Sequence, residues 1–236
     1  MLGRQSRTAG VSAGATGLWQ QAARLQPSRS AAGRRLLRRW LPIALALTTR
    51  LVRLRERLAS HQPSTDEDAS LLWAAVAVIL TPEPEGILLI RRAERAGDPW
   101  GGHMALPGGR REPTDQDLLT TAIRETEEEV GIRLNREHLA GALDDVIPRT
   151  PVLPPIAVRP FVFLAPARPV LTLNAEVAAA DWVTIDHLIR PGTHHPVRLD
   201  VAGGTRVVQA YELENAIVWG MTERIITSLL QQLGQG

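Results

Sequence analysis

Glu125, Glu128 and Glu129 stand at i, i+3 and i+4 in a segment of helical character, a spacing that puts three carboxylates on one helix face. Like charges this close destabilise a helix by roughly a few tenths of a kcal/mol per pair. A hard divalent cation such as magnesium would offset that cost, because it takes a few carboxylates, retained waters and phosphate oxygens. Arg124, the preceding residue, can fix a carboxylate through its planar fork. Upstream, Pro107-Gly108-Gly109 lets a backbone carbonyl or amide approach the same ion and phosphates closely. A bare run of glutamates is ordinarily a solvated acidic face. Here the run follows a Gly-Gly turn and a helix start capped at Thr114, with Asp117 three residues on.

Residues 109–132 resemble the Nudix box, Gly-x5-Glu-x7-Arg-Glu-U-x-Glu-Glu-x-Gly-U, where U is apolar. The match runs through Gly109, Asp115 at the early acidic position, and Arg124-Glu125-Thr126-Glu127-Glu128-Glu129-Val130-Gly131-Ile132. Eight residues rather than seven separate Asp115 from Arg124, the early acid is Asp, and Thr126 takes an apolar position. The longer spacer is similar to that of the coenzyme A pyrophosphatase branch. So are Leu88-Leu89-Ile90-Arg91-Arg92-Ala93, Gly102 before Leu106-Pro107-Gly108-Gly109, and Trp219-Gly220-Met221-Thr222 near the end. That branch carries a second upstream arginine where Gly97 or Asp98 falls here, and Arg95 is a displaced substitute. The resemblance covers residues 71–233.

The resemblance implies a Mg2+- or Mn2+-dependent hydrolase that cleaves a pyrophosphate bridge by attack of water. It implies Glu125 and Glu129 as metal ligands, with Glu128 beside them and the Gly109 carbonyl as a fourth. Arg124 would orient a carboxylate. The water-activating base is either Glu176, placed like the extra loop carboxylate of many Nudix enzymes, or Glu125 or Glu128 itself. Arg92, Gly102, His103 and Gly108 are expected at the substrate. The expected substrate is coenzyme A or a thioester of it. The alternatives are another nucleoside diphosphate derivative, such as ADP-ribose, a dinucleotide or an oxidised nucleotide, or a non-catalytic nucleotide-binding module. The last would be favoured by a missing box glutamate, and none is missing.

The elements that must position these groups follow from pattern. Residues 71–80 form a continuous apolar run of strand length, and 86–90 reads as its hairpin partner across Pro82 and Pro84. A loop over 92–102 leads to the Gly-Gly turn, and the helix is expected over 116–130, stopped by Gly131. Further strands are expected over 139–146, 156–164, 178–183, 197–201 and 206–213, with Gly203-Gly204 a hairpin turn and short helices over 185–189 and 221–233. His194-His195, followed by Pro196, reads as loop, and residues 148–155 as a stiff loop lining a site. Trp100 and Trp182 either stack an adenine or pack. The sum is an α/β (α+β) fold with a Nudix-like mixed β-sheet between helices, an α/β/α sandwich.

The charge divides the 236-residue chain. All 27 basic residues are Arg; residues 1–60 hold 12 of them against one acid, Glu56, a net +11, and residues 61–236 carry a net −9. An acidic body repels phosphate backbones, so no nucleic-acid partner is expected and phosphates should be handled through local sites and bound cations. The absence of cysteine excludes disulfides, thiol nucleophiles and Cys-ligated metal centres. The division gives a basic arm at 1–60, disordered or helical, a linker at 61–70 and a catalytic domain at 71–236. Residues 33–58 read as a basic helix with three open roles: an organelle presequence, a weak contact with an anionic membrane, or simply an upstream extension or a helix packed on the body. The compartment is cytoplasmic in a bacterium, or an organelle matrix if the arm is a presequence. The oligomeric state is open, a homodimer included.

Overall fold

The computed structural model describes residues 47–65, 71–95, 98, 100–148, 155–201 and 204–234. Residues 33–46 of the expected basic helix, part of the 61–70 linker, most of the stiff 148–155 segment and Gly203 of the expected hairpin turn lie outside the described residues.

Continuous apolar stretches form the central strands because both faces of the sheet are covered. Strand β1 (Leu72–Pro82) forms a hairpin with β2 (Glu85–Arg92) and runs parallel to β6 (Ile156–Leu164). Strand β5 (Leu139–Ala142) pairs antiparallel with β6, and β7 (Val177–Thr184) with β2, completing a mixed seven-stranded sheet with two short strands, β3 (Met104–Ala105) and β4 (Gly108–Arg110). Side chains alternate between its faces. Ala77, Ile79, Leu88, Ile90 and Phe163 pack beneath helix α2 (Leu118–Val130) with Leu119 and Val130. Val78, Leu80, Ile87 and Leu89 join the opposite cluster. That face is covered by helix α1 (Thr49–Ser60) and, beyond the short helix α3 (Ile185–Leu188), by helix α4 (Gly220–Gln232). A second sheet of β8 (His194–Val201), β9 (Gly204–Leu213) and β10 (Ala216–Trp219) feeds into α4. The expected α/β/α sandwich is the architecture observed.

Several expectations shift in detail. The cap of α2 is Asp117, whose side chain accepts the Thr120 N–H; Thr114 does not cap it. His194 and His195 open β8 rather than lie in a loop, with His194 bound to Glu223 and His195 to Glu212. Thr126 is buried at its apolar position and donates its hydroxyl to Ala122 O at 2.7 Å. The second sheet's last strand, β10, lacked a distinct sequence signal.

The division at residue 60 also changes. Helix α1 buries Leu51, Leu54 and Leu58, all 3 % exposed or less, in the core below the sheet. Arg50 pairs with Glu85 and Asp186, and Arg57 donates to Gln232 O. Gly141 of β5 lies so close that a Cβ there would stand 2.9 Å from Leu58 Cβ. The packed body therefore reaches back to residue 47, and this apolar stripe is spent on the core instead of a membrane surface. Among the described residues no helix is long and apolar enough to cross a membrane.

Candidate active site

The hairpin of β1 and β2 stays paired only near its turn, from Leu80↔Ile87 to Pro82↔Glu85. Beyond it the strands part, and the chain from Met104 to Arg110 fills the gap. β3 pairs with β2 through Ile90↔Ala105, and β4 pairs with β1 through Ala75↔Gly109. The Leu106–Gly109 turn is thus wedged into the sheet and pressed against α2. At Gly108 the fit excludes a side chain, since a Cβ would lie 2.3 Å from Ala75 O and φ is +149°. At Gly109 a Cβ would lie 2.4 Å from the carboxyl carbon of Glu125. The Gly108 N–H donates to Glu129 Oε2 at 2.9 Å. The turn and two of the three glutamates therefore form one assembly.

Arg124 organises the next layer. Its Nε and Nη2 bind Asp115 Oδ1 and Oδ2 at 3.1 and 3.0 Å, and its Nη1 stands 3.0 Å from both Glu125 Oε1 and Glu128 Oε2. Its Nη2 also reaches Arg110 O at 3.2 Å, tying the helix to β4. Asp115 is buried and further accepts the Glu112 N–H and the Thr121 hydroxyl, each at 2.9 Å. The Arg124 guanidinium, with these donors, holds its carboxyl down at about 2 against the desolvation that would raise it.

The glutamates facing the turn behave oppositely. Burial pushes Glu129 up to about 7, helped by the charges of Glu125 and Glu176 and opposed by the Gly108 N–H and Arg92. Burial also raises Glu125, against the pull of Arg124. A half-buried and a buried carboxylate, the first raising the second, beside a closely approached glycine backbone, form an all-oxygen donor set suited to a hard divalent cation. Glu128 is 54 % exposed and turned to Arg124. Among the described residues no three His, Asp or Glu side chains are already gathered in a cation-holding arrangement.

The opposite rim comes from β2 and the loop after it. The Arg92 N–H donates to His103 O and the Gly102 N–H to Arg92 O, both at 3.0 Å, closing the loop on itself. Arg92 Nη2 binds Asp98 Oδ2 at 3.0 Å, while its buried Nε has no hydrogen-bond partner among the described residues. His103 packs edge-on against Trp219, with centroids 5.1 Å apart, and its burial lowers its pKa. Thr222 donates its hydroxyl to Met104 O at 3.3 Å.

Glu176 is fixed by main chain. The Asn174 N–H donates to Glu129 O at 3.1 Å, its Oδ1 accepts the Glu176 N–H at 2.8 Å, and Glu176 O accepts the Ala93 N–H at 2.8 Å. The structure therefore gathers Arg92, Gly102, His103, Gly108, Gly109, Arg124, Glu125, Glu128, Glu129 and Glu176 around one turn and helix. Sequence reasoning missed Asp98 and Asn174. Asn174 carries an Asx-turn residue type two positions before Glu176, a signal that could have found it. Trp182 lies in β7 with Arg168 over its ring at 5.6 Å, which is packing rather than a rim position. A cavity of about 410 Å³, lined by Arg111, Asp117, Arg159 and Phe161 among others, lies at the opposite end of α2 from Glu129.

The family model of the NUDIX domain matches residues 71–201. The chain is 33 % identical over 171 residues to the uncharacterized Nudix hydrolase NudL of Yersinia pestis, covering 72 % of this chain and 81 % of that protein. It is 42 % identical over 119 residues to an uncharacterized protein of Schizosaccharomyces pombe, covering 48 % of this chain; the match spans only 36 % of the yeast protein's length. Among solved structures, a MutT/nudix family protein from Enterococcus faecalis superposes with a TM-score of 0.53 at 17 % identity, covering 88 % of this chain and 75 % of that one, a likeness of fold alone.

Proposed function

Because the chain belongs to the Nudix family and is a Nudix pyrophosphohydrolase of nucleoside diphosphate derivatives, we propose that its substrate is coenzyme A or a thioester of it. The products are 3′,5′-ADP and (acyl-)4′-phosphopantetheine. The observation that carries this reading is the meeting of Trp219 with His103 and of Thr222 with Met104 O. Two segments far apart in sequence, each similar to the coenzyme A pyrophosphatase branch, come together on the rim beside the carboxylates. The missing second arginine of that branch, where Gly97 or Asp98 falls, with Asp98 occupied by Arg92, favours the second reading: the same hydrolysis on another nucleoside diphosphate derivative.

Water attacks one phosphorus of the bridge, a new P–O bond forms, the bridging P–O bond breaks, and the leaving phosphate departs with the electron pair. Glu176 takes the proton from the water. Arg92, whose Nε has no partner among the described residues, offers its donors to phosphate oxygens. Glu125, Glu129, Glu128 and the Gly109 carbonyl would hold Mg2+ or Mn2+, which supplies neutralisation of the phosphate charge when bound. Arg124 stays on Asp115 and sets the directions of Glu125 and Glu128. Gly108 keeps Glu129 aimed into the turn through its N–H.

The test is to incubate the full chain with coenzyme A and magnesium and separate the products. Equal amounts of 3′,5′-ADP and 4′-phosphopantetheine support the reading. Intact coenzyme A beside cleaved ADP-ribose or dinucleotide would replace it with the second.

A further inference from the structure

Arg95 occupies an unusual place on the rim. Its Nη1 lies 3.0 Å from Glu176 Oε1, and its Nη2 donates to Ala175 O at 3.4 Å. Both side chains of the pair are about half exposed, at 50 and 49 %. Such an ion pair contributes little and is cheaply broken, because water competes for both partners. The main chain beneath it is built differently. Ala93 N–H to Glu176 O, Asn174 Oδ1 to Glu176 N–H and Asn174 N–H to Glu129 O fix the two loops and the end of α2 together. A weak side-chain contact thus rests on a firm frame. Separating the two side chains requires no backbone rearrangement.

The charges explain what would separate them. The charge of Glu176 reaches Glu125 and Glu129 and raises both, so this end of the site is rich in carboxylate. Arg92 is held by Asp98, and Arg124 by Asp115, Glu125 and Glu128. Arg95, by contrast, has an exposed fork and a loose partner. A diphosphate offers a guanidinium shorter, stronger, two-pronged hydrogen bonds than a half-hydrated carboxylate does.

We propose that Arg95 is a substrate-released latch, paired with Glu176 in the resting protein and transferred to the diphosphate of a bound nucleotide, which leaves the Glu176 carboxylate unpaired beside the reacting phosphorus. No covalent bond changes in the exchange. The consequence for the reaction rests on Glu176 being the base; the exchange itself does not. It couples occupancy of the phosphate site to release of a carboxylate that otherwise spends its charge on an arginine.

Calorimetric titration of the full chain with α,β-methylene-ADP and magnesium tests the latch without turnover, since the methylene bridge resists hydrolysis. Arg95→Ala should weaken binding about tenfold through loss of charge-assisted bonds. Glu176→Gln should tighten it about threefold, because the ligand no longer has to break the pair. That tightening should vanish in the Arg95→Ala background. Unchanged affinity in Arg95→Ala overturns the latch. Equal tightening by Glu176→Gln with and without Arg95 also overturns it, because simple removal of a negative charge then explains the gain. Turnover of Glu176→Gln, measured separately, addresses the base: wild-type turnover removes that role and leaves the binding result to stand or fall alone.

Discussion

Arg124 grips Asp115 with two prongs, Nε to Oδ1 at 3.1 Å and Nη2 to Oδ2 at 3.0 Å, while its third nitrogen reaches Glu125 and Glu128. The early acid of the box is therefore a buried anchor for the arginine that sets the site, nine residues ahead of it. Asp115 has a folded pKa of about 2, below the ordinary carboxyl value. A depressed folded value stabilises the fold above the unfolded pKa, and the gain fades as pH falls through about 4 toward 2. Asp115→Asn should cost about 2 kcal/mol at pH 7, and the gap from wild type should close as pH falls below 4. Urea unfolding at several pH values measures it, and a gap that persists at pH 2 would deny the pair its role.

Gly108 and Gly109 should respond differently to one methyl group. At Gly108 the added carbon meets backbone, Ala75 O at 2.3 Å, under a φ of +149°, so Gly108→Ala should lower the melting temperature by several degrees. At Gly109 it meets the far end of Glu125, a side chain that can turn away. Gly109→Ala should stay folded and lose turnover by roughly a hundredfold, as expected when a site group is displaced by about 1 Å. Thermal melts and initial rates on the two variants separate these outcomes.

Helix α1 belongs to the core. Leu54 is fully buried, and Leu54→Ala should cost about 2–5 kcal/mol by loss of buried area and the cavity left behind. Removing residues 1–60 should destabilise more, since Leu51 and Leu58 go as well. A truncation starting at residue 61 that unfolds at the wild-type denaturant midpoint would contradict this packing.

The readable and unreadable parts of the molecule differ by range. The two-faced burial of β1 was legible in its unbroken apolar run, and the helix end in Gly131, because both are local chemistry. The segment over 156–164 was legible to the residue. The splaying of β1 from β2 was not, because it depends on what fills the gap, and β3 and β4 are too short to carry a pattern. The docking of α1 was one of three open roles, since its leucine stripe fits a core and a lipid surface equally well. At the site, Glu125, Glu129 and Arg124 announced themselves by spacing. Asp98 did not, for its contact with Arg92 exists only once the chain has folded; Asn174 offered its Asx-turn type beside Glu176, but not its bond to the Glu129 backbone.

Glu129 lies at the heart of the cluster: it is 3 % exposed, bound to the Gly108 N–H and repelled by Glu125 and Glu176. The most direct measurement is the rate of coenzyme A cleavage by the full chain and by Glu129→Gln, at saturating magnesium, alongside a thermal melt of each. Turnover should fall by orders of magnitude in Glu129→Gln with the melting temperature held or raised, because the buried charge is removed. Turnover near the wild-type rate in a folded Glu129→Gln protein would contradict the assignment of this cluster as the centre of hydrolysis.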